Sequence, residues 1–435
     1  MHSQEVINLV NIALKNSNRP LLSAIERQIL SDTWKGVTYE KTASKLDYSS
    51  HYIRYIASQL WKDLSALFQQ TVNKRTVHSV IYHCQLASYA PPFYSSEDII
   101  LPHYYQPYLY EAHLSEAIIQ NYYQVIGIFG MVGTGKSTLA KGLTQQVSRD
   151  FETVVWHSFR EKKLSFQDWF DHVMFALKGE VPEAVSMTVP EKINELMEVL
   201  KQKRCLFVLD QLEQLFSLKA QAGQYCHQYQ GYRELFKRLV REKHQSYLIF
   251  TSRDYPEDYS NKLKKEPLFH SIILSGLQGE QIYQILNQLG LEDKYGSSQK
   301  LNSIYNGNPW ALTKAIFYIK EHYSGSLQAF LETEKFMFDA IAKGFNQELK
   351  RLSNLEKQII LVLAKQYNPF PKQSFSYLDT KLSKSQIDDA LHSLSARSLL
   401  KMDSGFAILS PLFQAYLNTL KSDKTGKIKE LAHTL

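Results

Sequence analysis

Gly130-Met131-Val132-Gly133-Thr134-Gly135-Lys136-Ser137 has the residue types and spacing to hold a polyphosphate. Backbone N–H groups of such a loop curl around phosphate oxygens at a helix N-terminus, where the helix dipole also favours negative charge. Lys136 is expected to reach the β- and γ-phosphates, and the Ser137 hydroxyl to ligate Mg²⁺. A second segment, Leu206-Phe207-Val208-Leu209-Asp210, runs four apolar residues into a carboxylate, the pattern of an acid that joins Ser137 in holding magnesium. Gln211 then stands where a water-polarising acid is common. An amide orients water but cannot accept its proton, so hydrolysis is expected to be slow. Glu213 is the nearest alternative base and reads equally well as a solvated helix residue. Tyr247-Leu248-Ile249-Phe250-Thr251-Ser252-Arg253 brings Arg253 to a strand end, placed to read the γ-phosphate.

These residues need a scaffold that delivers them to one rim. Apolar runs predict strands at Val125–Phe129, Thr153–Trp156, Cys205–Leu209, Tyr247–Thr251 and Ser271–Leu274. Alternating with helical stretches, one of them leading out of the loop through Thr138, Leu139 and Leu143, they imply a parallel sheet between helices. From Gly279 onward helical patterns take over, at Gln281–Leu289 and Ala311–Glu321, interrupted by Gly307-Asn308-Pro309. The last hundred residues predict a winged helix: helix Lys384–Ala396, strand Leu399–Met402, a Gly405 turn and strand Phe406–Leu409. Leu22–Leu30 and Leu352–Ile360 echo each other, and each contains a Ser-x-x-Glu capping box.

The chain has 435 residues, 44% hydrophobic and 21% charged, enough for several globular domains. A net charge of +7 is compatible with nucleic acid or acidic partners without demanding either. Cys84, Cys205 and Cys226 are scattered and lack metal-ligand spacing, which points to a reducing compartment. With no apolar stretch of membrane-spanning length and no signal pattern in Met1–Leu14, a soluble cytoplasmic protein is expected. The expected division is 1–85 (helix-turn-helix), 86–120 (linker, with Ala87–Pro107 as the boundary), 121–276 (phosphate-loop domain), 277–335 (helical) and 336–435 (winged helix).

Within 1–85, Thr38 caps a helix Tyr39–Leu46, and Ser50 caps a second helix through Ile53, Ala57, Leu60 and Leu64. In a DNA reader Ser49, Ser50, His51 and Arg54 would face the major groove, while Lys35, Lys41, Lys45 and Lys62 contact phosphates. The same shape also serves as a protein adaptor. Ten Lys/Arg against six Asp/Glu in this stretch leave both readings open.

Taken in order, these segments resemble the NB-ARC class of STAND signalling ATPases, bacterial members of which often carry WD-repeat propellers and an N-terminal helix-turn-helix module. Gly130–Ser137 is similar to the Walker A motif, Leu206–Asp210 to Walker B and Thr251–Arg253 to the sensor. Gly307–Leu312 resembles the segment whose proline, here Pro309, packs on adenine. The resemblance implies ATP or ADP with Mg²⁺ held by Gly130 to Thr138 and Pro309. Lys136, Asp210, Glu213 and Arg253 are the expected catalytic residues, and Ser137 and Asp210 the expected metal ligands. It further implies a switch that closes on ADP and opens with ATP, homo-oligomerises and signals through 1–85, with DNA or an adaptor as the target there. A replication-initiator-like reading would need a strongly basic winged helix, and Lys384–Ala396 carries Asp388 and Asp389. Three departures stand out. Pro102–Ile119 lacks the family's Gly-Arg element. Ser410 occupies the position of a histidine that meets the ADP β-phosphate. No repeat array follows Leu420, so a separate sensor protein is expected.

Overall fold

The computed structural model describes residues 6–7, 10–11, 13–14, 19–68, 71–78, 80–81, 111–120, 122–178, 187–259, 263–291, 296–366, 369–377 and 383–422. The readings made at Cys84, Ala87–Pro107, the first part of Pro102–Ile119 and beyond residue 422 lie outside these. The chain divides into two compact units, Met1–Pro91 and Pro92–Leu435.

In the first unit, α1 (Ala24–Trp34) opens on the predicted capping box, with the Ser23 hydroxyl accepting the Glu26 N–H and Glu26 accepting the Ser23 N–H. α2 (Tyr39–Leu46) is capped by Thr38 and ends at Asp47, whose φ is 57°. α3 spans Ser50–Phe68. Ser50 is the first residue of α3, not its cap; Ser49 caps it, its hydroxyl accepting the Tyr52 N–H at 3.2 Å. Ile53, Ala57, Leu60, Trp61 and Leu64 recur at helical spacing and bury one face of α3 in a core with Ile29, Leu30 and Ala43.

In the second unit, β1 (Val125–Phe129), β2 (Thr153–Ser158), β3 (Cys205–Asp210), β4 (Tyr247–Ser252) and β5 (Phe269–Ile273) form one parallel sheet in the order β2-β3-β4-β1-β5. Side chains alternate between its faces with period two. Ile126, Ile128, Leu206, Val208 and Ile249 join the core of α5 (Lys136–Val147). Val125, Phe129, Phe207, Leu209, Leu248 and Phe250 join α6 (Phe166–Lys178), α7 (Val189–Gln202) and α8 (Gln230–Leu239) on the other face. Both faces are covered, which is why the strands read as continuous apolar runs. A further helix, α4 (Glu111–Ile119), falls inside the expected 86–120 linker and is tied to α5 by Gln146 Nε2 donating to Glu111 Oε1 at 2.7 Å.

Beyond the sheet come α9 (Glu280–Gln288), α10 (Ser297–Tyr305), α11 (Pro309–His322), α12 (Leu327–Glu332), α13 (Asp339–Arg351) and α14 (Asn354–Leu363). The chain closes with β6 (Phe370–Pro371), α15 (Lys384–Ala396), β7 (Leu400–Asp403), β8 (Phe406–Leu409) and α16 (Pro411–Ser422). The winged sheet has three strands, β6-β8-β7, one more than the sequence predicts. These elements share a continuous core with one face of the large sheet. An aromatic chain runs through it: the Trp310 ring meets Phe345 at 6.4 Å, and Phe345 meets Phe413 at 5.4 Å and Tyr416 at 5.3 Å.

Phe345 is fully buried at the centre of this chain. Phe345→Ala should cost about 3–5 kcal/mol, read as a lowered denaturation midpoint with an unchanged slope. On β2, His157 is buried, its Nε2 lies 3.0 Å from the Lys162 carbonyl, and burial pushes its pKa down to about 4. The unfolded chain therefore binds a proton between about pH 6.5 and 4 that the folded chain refuses. This contribution is complete above 6.5 and falls away as pH drops through that window, by about 3 kcal/mol. His157→Gln, which cannot titrate, should flatten stability against pH across that range; His172, also held low by burial, leaves a residual slope.

Candidate functional site

The carboxyl ends of β1, β3 and β4 are neighbours in the sheet, so the 130–135 loop, Asp210 and Arg253 converge on one rim. The loop turns through positive φ at Gly130 (145°), Gly133 (81°) and Gly135 (91°) before α5 begins at Lys136. A Cβ on Gly133 would fall 2.5 Å from Asn308 Oδ1 and 2.8 Å from Trp310 Cβ, so the start of α11 is pressed against the loop. Hydrogen bonds hold it there: Asn308 Nδ2 donates to the Val132 carbonyl at 2.8 Å and Trp310 N–H to the Gly133 carbonyl at 3.2 Å. Asn308 also caps α11 by accepting the Ala311 N–H at 3.0 Å, which sets Pro309 in the first helical position.

Lys136 is buried and curls back, donating from Nζ to the carbonyls of Gly130 (2.8 Å) and Met131 (2.9 Å). Burial pulls its pKa down to about 8; Glu213, Glu348 and Asp210 oppose that fall and Arg253 adds to it. Leu139 N–H donates to the Gly135 carbonyl as the first bond of the α5 ladder, leaving the amides of Lys136, Ser137 and Thr138 ahead of it. Asp210 Oδ1 accepts the Ser137 hydroxyl at 2.6 Å and the Thr251 hydroxyl at 2.7 Å, and Oδ2 accepts Gln211 Nε2 at 3.2 Å. Gln211 adopts φ 61°, its N–H donating to Thr251 Oγ1 at 2.9 Å. The structure thus brings the loop, Lys136, Ser137, Asp210 and the α11 start with Pro309 into one neighbourhood.

Glu213 is not a solvated helix residue. It sits in a short 3₁₀ turn, Leu212–Leu215, its side chain wholly buried, 3.1 Å from Arg253 Nε and accepting the Arg253 N–H at 3.2 Å. Arg253 reaches the expected rim, but its guanidinium is engaged by protein: Glu213 on one side and Glu348 of α13 on the other. From Glu348 an ion-pair chain continues to Arg351 (3.0 Å), Asp254 (2.5 Å from Arg351), Arg397 (3.0 Å from Asp254) and Glu356 (2.6 Å from Arg397). Burial opposes the charge on Glu348, but Arg253 and Arg351 outweigh it and hold its pKa below the usual carboxylate value. Backbone contacts run alongside: Tyr255 N–H donates to the Ala396 carbonyl at 2.7 Å and Lys219 N–H to the Arg351 carbonyl at 2.9 Å. Ser410 Oγ is buried with no hydrogen-bond partner among the described residues.

Sequence reasoning missed Glu348, Arg351, Asp254 and Arg397, which look like ordinary helix and turn charges. Glu356 was seen only as half of a capping box. It fills both places, accepting the Ser353 N–H on Oε2 and Arg397 on Oε1. The one available signal was Asp254 directly after Arg253 at the end of an apolar strand.

Residues 1–84 match the vWA-MoxR associated protein N-terminal HTH family, and residues 111–295 match the NB-ARC domain. An uncharacterized WD repeat-containing protein of Nostoc sp. is 27% identical over 317 residues, 69% of this chain and 25% of that protein. Disease resistance protein RRS1 of Arabidopsis thaliana is 26% identical over 241 residues, 55% of this chain and 16% of that protein. The chain therefore spans a quarter or less of the length of these relatives. Among solved structures, a Walker-type ATPase of Pyrococcus abyssi has a TM-score of 0.49 at 15% identity, covering 74% of this chain and 97% of that one. A STAND protein with a tetratricopeptide repeat sensor from Pyrococcus horikoshii has a TM-score of 0.37 at 16% identity, covering 75% and 46%. Among the described residues no helix is long and apolar enough to cross a membrane. With its phosphate loop at the head of α5 and its acid at the end of β3, the stretch 111–295 is an NB-ARC/STAND-like P-loop domain fused to an N-terminal helix-turn-helix module.

Proposed function

We propose that the second unit is an adenine-nucleotide switch, closed with ADP and opened by ATP and Mg²⁺, that hydrolyses ATP slowly. The observation carrying this reading is the direct bonding of α11 to the phosphate loop, through Asn308 to Val132 and Trp310 to Gly133. Any ligand that reshapes the loop bears at once on the helices beyond it. A nucleotide shifts such an equilibrium only through different affinities for its two states.

The residues fit the ligands. The loop offers amides ahead of the α5 ladder, and Lys136 supplies a positive charge. Ser137 and Asp210 are hard oxygen donors 2.6 Å apart, suited to Mg²⁺. The ion, when bound, neutralises phosphate charge. Pro309 lies beside the loop for the base. Gln211 cannot serve as a base, and Glu213 is neutralised by Arg253, which supports slow turnover. Output is assigned to 1–85, where opening would also permit homo-oligomerisation or engagement of a separate sensor protein.

Purified protein should carry or bind ADP and ATP, and Lys136→Ala should weaken both by about tenfold to a hundredfold, the worth of a charge-assisted bond. Titration calorimetry checks this; unchanged affinity in the variant removes the reading. One observation favours a second reading, DNA binding: Ser49, His51, Arg54 and Lys62 are all exposed along or just before α3. Against it, Arg54 is engaged by Glu40. If the module grips DNA, Arg54→Gln and Lys62→Gln should each lower the salt slope of binding by about one unit. Binding indifferent to both assigns the module to a protein partner.

A further inference from the structure

We propose that Glu348 is the residue by which the C-terminal part of the second unit tells a nucleoside triphosphate from a diphosphate: its carboxylate holds the guanidinium that a third phosphate needs. The inference rests on nucleotide binding at the 130–137 loop, as proposed above. Glu348 touches Arg253 rather than the nucleotide, so it is a positioning residue.

Arg253 directly follows β4, on the same rim as the loop and Asp210. Its guanidinium pairs with Glu213 through Nε and with Glu348 through Nη1. The two carboxylate side chains are 0% and 2% exposed, so neither can be handed to water while it stays in place. The ammonium of Lys136 interacts electrostatically with Glu213, Arg253, Glu348 and Asp210 together, which places Glu348 within the field of the phosphate-binding lysine. A carboxylate in that field and a γ-phosphate are rival anions. Brought together in a dry site they repel, and both compete for one guanidinium. A diphosphate adds no charge beyond the β-position and leaves the Glu348–Arg253 pair standing.

Glu348 is also mechanically well placed. It sits on α13 with Arg351 three residues on, and Arg351 passes the contact to Asp254, Arg397 and Glu356. Expelling Glu348 from Arg253 therefore strips one member from a chain that ties α13, α14 and α15 to the segment after β4. ATP would favour the state in which these helices have moved away, and ADP the state described here.

The test measures affinity of the full chain for ADP and for a non-hydrolysable ATP analogue, by calorimetry, in the wild type and Glu348→Gln. The amide keeps the shape and removes the rival charge. Affinity for the ATP analogue should rise about tenfold or more while that for ADP changes less than about threefold. Arg253→Gln in the Glu348→Gln background should abolish the gain. If removing Glu348 alone unfolds the protein, Glu348→Gln with Arg351→Gln removes one charge of each sign and should show the same selective gain. Equal shifts for both nucleotides, the signature of a merely structural residue, or an unchanged ratio in a folded variant overturns the proposal while leaving nucleotide binding intact. A wild type that binds neither nucleotide overturns both.

Discussion

The alignment of the second unit's elements depends on one largely buried guanidinium. Arg253 is shared between Glu213, which belongs to the sheet's rim, and Glu348, which belongs to α13. Either carboxylate alone, buried as both are, would be an uncompensated charge costing several kcal/mol. Arg253 makes each tolerable and thereby fixes α13 against the rim. The same logic propagates outward: Asp254, wholly buried, is acceptable only because Arg351 and Arg397 both reach it, and Arg397 in turn steadies Glu356. Four carboxylates face three guanidiniums along this chain. The fourth positive charge is Lys136 itself, which interacts with both Glu213 and Glu348. The phosphate loop's own lysine, which Asp210 also faces, thus shares in the charge balance of this arrangement.

Buried ion pairs rarely add net stability compared with apolar packing, so the network is better understood as a device for specifying one arrangement. Stability comes from elsewhere, from the apolar core that the large sheet shares with the C-terminal helices and from the Trp310–Phe345–Phe413 aromatic chain. The two couplings meet the phosphate-loop rim at different points. The aromatic chain ends on the loop, where Trp310 and Asn308 touch Gly133, and the ionic chain ends on Arg253. Apolar contact tolerates small slides, whereas a desolvated ion pair is made or broken. A site joined to its neighbours in both ways can hold the helices together while one contact decides their alignment.

The sequence made local structure legible and long-range charge pairing invisible. β1 and β8 were readable to the residue, because each is an uninterrupted apolar run bounded by a glycine, Gly130 after β1 and Gly405 before β8. Capping boxes at Ser23 and Ser353 could be found because both halves lie within one helical turn. β6 escaped because it is two residues long and includes Pro371, which can pair only at a sheet edge. Ser49 and Ser50 are both competent caps, and only the backbone turn decides between them. Arg253 and Glu348 are separated by 95 residues, Asp254 and Arg397 by 143, distances over which periodicity carries no information. The candidate site was therefore half legible. The strand ends and loop were apparent, but what occupies Arg253 was not.

Glu213 constrains what opening can achieve. On the proposed reading, removing Glu348 frees one side of Arg253, yet Glu213 stays bound to that residue twice, through Nε and through the backbone N–H. With its competitor gone, the remaining carboxylate is the guanidinium's principal protein partner and stays held in that ion pair. Opening therefore does not generate a general base at Glu213, and Gln211 beside it offers only an amide. The step that admits ATP is thus separated from any step that would consume it. On that reading the switch would stay open for as long as the triphosphate stays bound, its product a lasting conformational state rather than a stream of turnovers.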